Sequence, residues 1–303
     1  MNDNSKRTLE ASSLRLFFDD QLEHLQNLVS SLSEHIQAKE QQTKEDRLMI
    51  ESFVDASNSK MRAVDDYADR LRVYVKMLYC HVLEIAEQIP SPIDLNQDAL
   101  RTNPLVNALF VCNKDIEQLL NKDAEVDAYL RDHKEDDAVI YALLTANKQE
   151  KLTLGVGMLG DHVIRDVPQQ VINFSAHQVH APCANSTELS TALKKYLFDR
   201  TVTLIKQEMT SRMINAPHNP MGDFYASRVN SLANPDVYLN TLIDYMENPV
   251  NLLSIEKSHL KLNKLGIKID NDADTQCANE FDIYELTWGN DTRNVILQIF
   301  CPQ

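Results

Sequence analysis

Glycine is scarce in this chain, with six among 303 residues, and none of them lies in the first 154 positions. Proline in that stretch is confined to Pro90, Pro92 and Pro104. The residues that most often interrupt helices are therefore nearly missing from a segment rich in Leu, Glu, Gln, Lys and Ala. The later part carries every glycine, most of the Val and Ile alternation and the turn signals. We expect an α+β protein with a helical N-terminal half and a mixed C-terminal half.

Long apolar runs and excess positive charge are also lacking. No segment approaches the ~18 consecutive apolar residues of a membrane-spanning helix, and the opening MNDNSKRTLEASS has no apolar stretch like that of a secretory signal peptide. Acidic residues outnumber basic ones by 45 to 30, giving a formal net charge of −15. Because duplex affinity comes largely from Lys and Arg that neutralise phosphates, we expect no nucleic-acid partner, and we expect no membrane partner.

The five cysteines show no CxxC spacing and are odd in number. Such a pattern is typical of reduced thiols rather than of a disulfide framework. The sequence therefore predicts a cytoplasmic protein.

An apolar repeat with alternating spacing of four and three residues is the strongest periodic signal. It runs from residue 50 to 89, and eleven of its twelve positions are apolar: Ile50, Val54, Ser57, Met61, Val64, Ala68, Leu71, Val75, Leu78, Val82, Ile85 and Ile89. More than three or four such heptads indicate a coiled coil. An earlier run has the same spacing but a different phase: Phe18, Leu22, Leu25, Val29, Leu32 and Ile36.

The polar stretch AKEQQTKEDR (38–47) separates the two runs and leaves two arrangements open. The helix continues through a stutter, or the chain turns back into an antiparallel helical hairpin. The lack of Gly and Pro favours continuity, whereas compactness favours the hairpin. In either case we expect residues 1–89 to form an oligomerisation region. Its contact residues would be Val64, Leu71, Val75, Leu78, Val82 and Ile85.

Two further regions follow this arm. Residues 90–137 are predicted as a linker with short helices, since Pro90 ends the long helix and Asn103-Pro104 is typical of a helix start. Residues 138–303 are predicted as an α+β domain whose antiparallel sheet is backed by helices at 186–212 and 235–248. Strands are expected at 138–147, 151–159, 162–167, 169–179, 253–269, 281–288 and 293–300, with NKQEK (147–151) as a turn.

Three patterns in the C-terminal half bear on chemistry. Gly155, Gly157 and Gly160 match GxGxxG, but the residues that follow do not predict the helix that a dinucleotide site needs. These glycines are better explained by close backbone approach in a hairpin strand. Lys257, Lys261, Lys264 and Lys268, joined by His259, offer an anion site, although lysines that protect an exposed edge strand are the simpler interpretation.

His177, His180 and Cys183 form an HxxHxxC pattern with side chains that suit zinc or another transition metal. A regular strand would place residues three apart on opposite faces, so convergence requires the strand to end near residue 179. Cys183 with either histidine also has the composition of a nucleophile and its base.

The periodic signal decides the functional expectation. We expect a non-enzymatic scaffold, adaptor or structural subunit that self-associates, as a dimer, through its N-terminal coiled coil, without a cofactor, and with another protein as a further possible partner. The alternative is a metal-binding or small-ligand-binding domain, or an enzyme, that uses residues 155–183 with zinc or another transition metal.

Overall fold

A computed structural model describes residues 43–96, 98–132, 139–159, 162–215, 234–269, 279–289 and 292–301. The chain divides into two compact units, Met1–Phe53 and Val54–Gln303. The earlier heptad run, from Phe18 to Ile36, and the stretch 38–42 lie outside the described residues. Within the described ranges the protein combines helices with an antiparallel sheet, as the composition of its two halves predicts.

The described residues contain eight α-helices. They are α1 over 43–57, α2 at Tyr67–Gln88, α3 at Ala99–Thr102, α4 at Pro104–Leu109, α5 at Asn113–Lys122, α6 at Ala124–Asp132, α7 at Ser186–Asn215 and α8 at Pro235–Met246. Short 3-10 turns occupy Ser59–Ala63 and Pro249–Asn251. The predicted helix start at Asn103-Pro104 is confirmed, since the Asn103 side chain accepts a hydrogen bond from the Leu105 amide at 3.0 Å. Asn234 caps α8 in the same way.

The strands are β1 at Ile93–Asp94, β2 at Ile140–Leu159, β3 at His162–Cys183, β4 at Leu253–Leu262, β5 at Asn279–Trp288 and β6 at Thr292–Cys301. Their order in the sheet is β3-β2-β6-β5-β4, with antiparallel pairing throughout, and β1 adds a short parallel pairing with β6. The final hairpin agrees with the sequence prediction, whereas the strand predicted over 253–269 ends at Leu262. NKQEK, however, is not a turn, because β2 passes through it without interruption.

The sheet curls until its two outer strands are connected. The segment 266–269 hydrogen-bonds to β4 on one side, where the Ile269 amide donates to the Lys261 carbonyl at 2.9 Å. On the other side the Lys268 amide donates to the carbonyl of Gln170 in β3 at 2.8 Å. Both outer strands thus gain backbone partners at this level of the sheet, which protects their edges.

One face of the sheet carries α3 to α6 and holds a large apolar core. Even-numbered β2 residues from Ile140 to Ala146 point to this side, together with Ile283 of β5 and Leu297 of β6. They pack with Val106, Ile116 and other helix side chains that have almost no exposed surface. The predicted short helices include α5 and α6, which are separated at Asp123, whose carboxylate accepts a hydrogen bond from the Glu125 amide at 2.9 Å.

The opposite face of the sheet carries α2 and α7, and α8 packs against both of these helices. Tyr79 of α2 meets Phe198 of α7 with ring centroids 6.0 Å apart. His81 Nε2 lies 2.7 Å from the Leu253 carbonyl oxygen, which fixes α2 against the start of β4. Each amphipathic helix therefore buries its apolar stripe against elements of the same chain.

The long heptad run is not one helix, which corrects the predicted continuous coiled coil over 50–89. The chain leaves helical conformation at Asn58 (φ −154°, ψ 104°), whose side chain accepts a hydrogen bond from the Lys60 amide, and again at Val64. An Asn side chain that bonds to a nearby backbone amide competes with helix continuation. The spacing concealed this break because Met61, at an apolar position of the repeat, is fully buried from within the 3-10 turn.

The residues predicted to join two copies are core residues of the single chain. Five of them have an exposed fraction of 2% or less: Leu71, Val75, Leu78, Val82 and Ile85. A side chain without exposed surface in one chain adds no area to an interface, so these five do not form the predicted contact. Val64 lies before α2, in extended backbone, and is half-buried.

Candidate functional site

A long two-stranded ribbon extends from the sheet. Strands β2 and β3 contain 20 and 22 residues and pair from Tyr141 opposite Cys183 to Leu159 opposite His162. On its other edge β2 pairs with β6 only as far as Ala146. Segment 266–269 pairs with β3 only down to residue 170. From residue 169 toward residue 162, β3 forms sheet hydrogen bonds only with β2 among the described residues. We call residues 151–159 and 162–169 the ribbon.

One face of the ribbon is apolar and exposed. Leu152, Leu154 and Val156 alternate along β2 and therefore share a face, and their exposed fractions are 75%, 69% and 60%. Val163 lies opposite position 158 in the register, so it belongs to the same face, and it is 64% exposed. Pro168, opposite Leu154, is exposed as well. This surface contrasts with the sheet body, where residues of the same parity are buried.

The glycine motif shapes the ribbon. The Gln169 side chain crosses over Gly155 and donates a hydrogen bond to the Val156 carbonyl at 2.9 Å. A Cβ at Gly155 would lie 1.9 Å from Gln169 Oε1, so a larger residue there would push this side chain away from its hydrogen bond to Val156. A strand follows the motif instead of a helix, which agrees with the predicted hairpin strand. The register shifts where Asp166 adopts a φ of 60° and is left without a partner position, as in a β-bulge.

A polar cluster anchors the ribbon at its base. Lys148 Nζ contacts Glu285 Oε2 at 2.5 Å and Glu150 Oε1 at 3.0 Å, and the Glu285 side chain is 5% exposed. Burial alone would lower the pKa of Lys148, but the hydrogen bonds to Glu285 and Glu150 outweigh it and raise that pKa above its ordinary value. The ion pair joins β2 to β5 where the ribbon leaves the sheet, so it fixes the direction in which the ribbon begins.

The predicted metal ligands do not converge, which corrects that expectation. His177 stacks on Phe110 with ring centroids 4.8 Å apart, on the face of the sheet that carries α4. His180 stacks on Tyr196 of α7 at 4.9 Å, on the opposite face, and its Nε2 lies 3.1 Å from Thr145 Oγ1. Strand alternation separates the two rings because β3 continues to Cys183 instead of ending near residue 179.

Cys183 has its own local partner. Its thiol donates to the Tyr141 carbonyl at 3.5 Å, and burial raises its pKa to about 11. Since the thiolate is the nucleophile and the metal ligand, this thiol is poorly suited to either role at neutral pH. The described residues contain no group of three or more His, Cys, Asp or Glu side chains placed to hold a metal ion.

The two histidines sit in apolar surroundings that favour their neutral forms. Burial is the largest effect on both, and it lowers the pKa of His177 and of His180 below the ordinary value. A ring nitrogen of His177 hydrogen-bonds to the backbone of Leu109, while its Nε2 is buried without a partner among the described residues. The ring borders an open cleft of about 560 Å³ beside α5.

The lysine-rich segment carries paired charges. Lys257 Nζ contacts Asp282 Oδ2 at 2.8 Å, and Lys261 Nζ contacts Glu280 Oε1 at 3.0 Å. His259 Nδ1 lies 2.8 Å from Asp282 Oδ1. These cross-strand pairs on the outermost strand β4 agree with the interpretation of charged side chains along an edge strand.

The two strands of the ribbon were predicted, but their continuation into the sheet was missed because NKQEK was interpreted as a turn. The signal that argued against a turn was the lack of Gly and Pro in that stretch, between two segments of strand alternation. Within the described ranges, no helix combines the length and apolarity needed to cross a membrane. The chain matches no known family model, and comparison with curated proteins and with solved structures gave no match.

Proposed function

We propose that this protein is a non-enzymatic scaffold or adaptor that works through protein–protein contacts, with the apolar face of the ribbon as its contact surface. The observation that carries the proposal is the row of exposed side chains at Leu152, Leu154, Val156 and Val163. Exposed apolar surface that is contiguous, rather than scattered, marks interaction sites.

The physical cost of an uncovered ribbon supports the same proposal. A two-stranded hairpin by itself is at best marginally stable in water, and it is usually stabilised by a further element packed over its apolar face. The ribbon has such a layer neither from α3 to α6 nor from α7, because its side chains remain largely exposed. A partner that covers this face would remove apolar surface from water and hold the two strands together.

Self-association through the N-terminal heptads remains part of the proposal only for the run from Phe18 to Ile36. The later run no longer supports it, because Leu71 to Ile85 lie in the core of the chain. The two contact regions would give one chain two independent attachment points, which is what an adaptor requires.

Photo-cross-linking from the ribbon tests the proposal. A benzophenone amino acid would replace Leu154 in the full chain, produced in the cells that normally make it, and a matched chain would carry it at exposed Lys195 on α7. We expect covalent adducts with another polypeptide, or with a second copy, from position 154 and not from position 195. Adducts from neither position, or equally from both, would contradict the proposed role of the ribbon.

A second candidate function is binding of a small ligand beside His177. The favouring observation is its buried Nε2, which has no hydrogen-bond partner among the described residues, next to the cleft lined by Phe110, Asp115, Lys122 and Phe174. With its other nitrogen bonded to Leu109, the neutral ring offers an acceptor to a ligand N–H or O–H. A compound library screened by thermal shift against the wild type and His177→Phe tests this. Ligands that stabilise both proteins equally would exclude His177 as their acceptor.

A further inference from the structure

The apolar face of the ribbon points to a specific occupant. Resting on the proposed function, we infer that the occupant is the same face of a second copy of this chain, so that two ribbons pack face to face about a two-fold axis. A two-fold contact uses the same patch on both partners, and an apolar patch without a charge pattern is complementary to itself.

The size of the patch agrees with a dimer contact. The ribbon has about nine residues per strand, which at a rise of about 3.3 Å per residue makes it roughly 30 Å long. A two-stranded face of that length offers roughly 500 Å² of accessible surface. Two such faces together bury about 1,000 Å², which is near the lower limit for a specific protein–protein interface. The ribbon alone thus suffices for a reversible dimer.

Charge favours a second copy over a partner attracted by electrostatics. The whole chain has a formal net charge of −15, whereas residues 151–169 contain two basic residues, Lys151 and Arg165, and two acidic ones, Asp161 and Asp166. A partner selected by charge would find no net charge on this surface. The electrostatic repulsion between two acidic chains decays over a Debye length of about 8 Å at physiological salt. A ribbon roughly 30 Å long lets the apolar faces meet beyond that range.

The charged side chain on this face is compatible with the contact. Arg165 lies opposite Val156 in the register and therefore on the apolar face, near the bulge at Asp166. Arginine can lay its aliphatic stem along apolar surface while its guanidinium reaches water at the rim. The interface would thus have an apolar centre at Leu154 and Val156, with the Arg165 guanidinium reaching a polar rim along the β3 side of the ribbon.

Molar mass measured by light scattering and sedimentation equilibrium, over a wide range of full-chain concentrations, tests the inference. We expect wild type to shift reversibly from monomer to dimer as concentration rises. The double variant Leu154→Asp with Val156→Asp should weaken the dimer on the order of a hundredfold or more, because each carboxylate would lose water against an apolar surface. Circular dichroism should stay unchanged, since both side chains are exposed in the single chain.

Val250→Asp is the matched control. Val250 is an apolar residue that is 55% exposed in the 3-10 turn before β4, away from the ribbon. It should leave the dimerisation constant as in wild type. If Val250→Asp weakens the dimer as much as the ribbon variant, the effect is one of added charge, and the inference is wrong.

Two other outcomes would overturn the inference. A wild-type chain that stays monomeric at every concentration excludes a second copy as the occupant. A dimer that persists unchanged in the ribbon variant places the contact elsewhere. Neither outcome alone removes the scaffold proposal. If position 154 still cross-links to a different polypeptide in cells, the ribbon is an adaptor surface for that protein; adducts with nothing would refute both proposals.

Discussion

Replacing Leu78 with alanine separates a core helix from an intermolecular seam. Leu78 lies in the middle of α2 with an exposed fraction of 1%. Truncating a fully buried leucine removes its transfer free energy and leaves a cavity, which together cost about 2–5 kcal/mol. We expect the free energy of unfolding to fall by about 3 kcal/mol. Because one kcal/mol shifts the melting temperature of a unit of this size by about 2–4 °C, the midpoint should fall by about 10 °C.

The lone tryptophan provides the assay. Trp288 is 2% exposed in β5, beside Tyr196 and Arg200, so its emission should shift to the red when the sheet unfolds in guanidinium chloride. The control is Val73→Ala on the same helix, where the side chain is 61% exposed. That change should alter stability by less than about 0.5 kcal/mol.

The dependence of the stability loss on protein concentration distinguishes a core residue from a residue between two chains. A core residue loses the same stability at any protein concentration, whereas a residue between copies loses more as the wild-type complex becomes more populated. If Leu78→Ala matches wild type in dilute solution and differs only at high concentration, α2 is a seam between chains, and its assignment to the core is wrong.

Three further predictions concern buried polar groups. Lys148→Met should destabilise the protein by about 3 kcal/mol in chemical denaturation, because it leaves Glu285 buried and unpaired. The double variant with Glu285→Leu should recover most of that loss. Equal losses in the single and the double variant would contradict the role of the ion pair. Burial lowers the pKa of His177 and His180 below 6.5. The unfolded chain therefore takes up protons first as the pH falls, so stability that is complete above about pH 6.5 should decline toward pH 5. The decline should be at most about 1.4 kcal/mol per pH unit for each histidine. In the double variant His177→Gln with His180→Gln, the denaturant concentration at the unfolding midpoint should depend less on pH across that range. With its pKa raised to about 11, Cys183 should react with a thiol reagent at pH 8 about a hundredfold more slowly than an exposed cysteine in a mass-resolved assay, and comparable rates would show that its burial is transient.

Elements with local signals were predictable. The helix at Pro104 and the helix at Pro235 begin where an asparagine side chain satisfies free backbone amides, and those residues are neighbours in sequence. The β5–β6 hairpin was visible in its alternating apolar residues around Gly289. Propensity, capping and turn chemistry act over a few residues, so one sequence contains them in full.

The ribbon depended on information that lies far apart in the chain. Whether NKQEK turns or continues is decided by its cross-strand partners in β3 and by Lys148, which meets Glu285 at a separation of 137 residues. The same holds for His177 and His180. Their spacing allowed convergence, but continuation of β3 to Cys183 sends the two rings to opposite faces.

The sequence by itself determined that the chain is a mixed α+β protein, that the described segments before residue 133 are mainly helical, and that one stripe of α2 must be buried. Only the tertiary structure decided what covers that stripe, namely α7 and α8 of the same chain, and which apolar side chains stay exposed, namely those of the ribbon. The physical reason is that an amphipathic period specifies which face avoids water but not the surface that it meets. That surface comes from residues distant in sequence, and the periodicity of one segment does not indicate which residues they are.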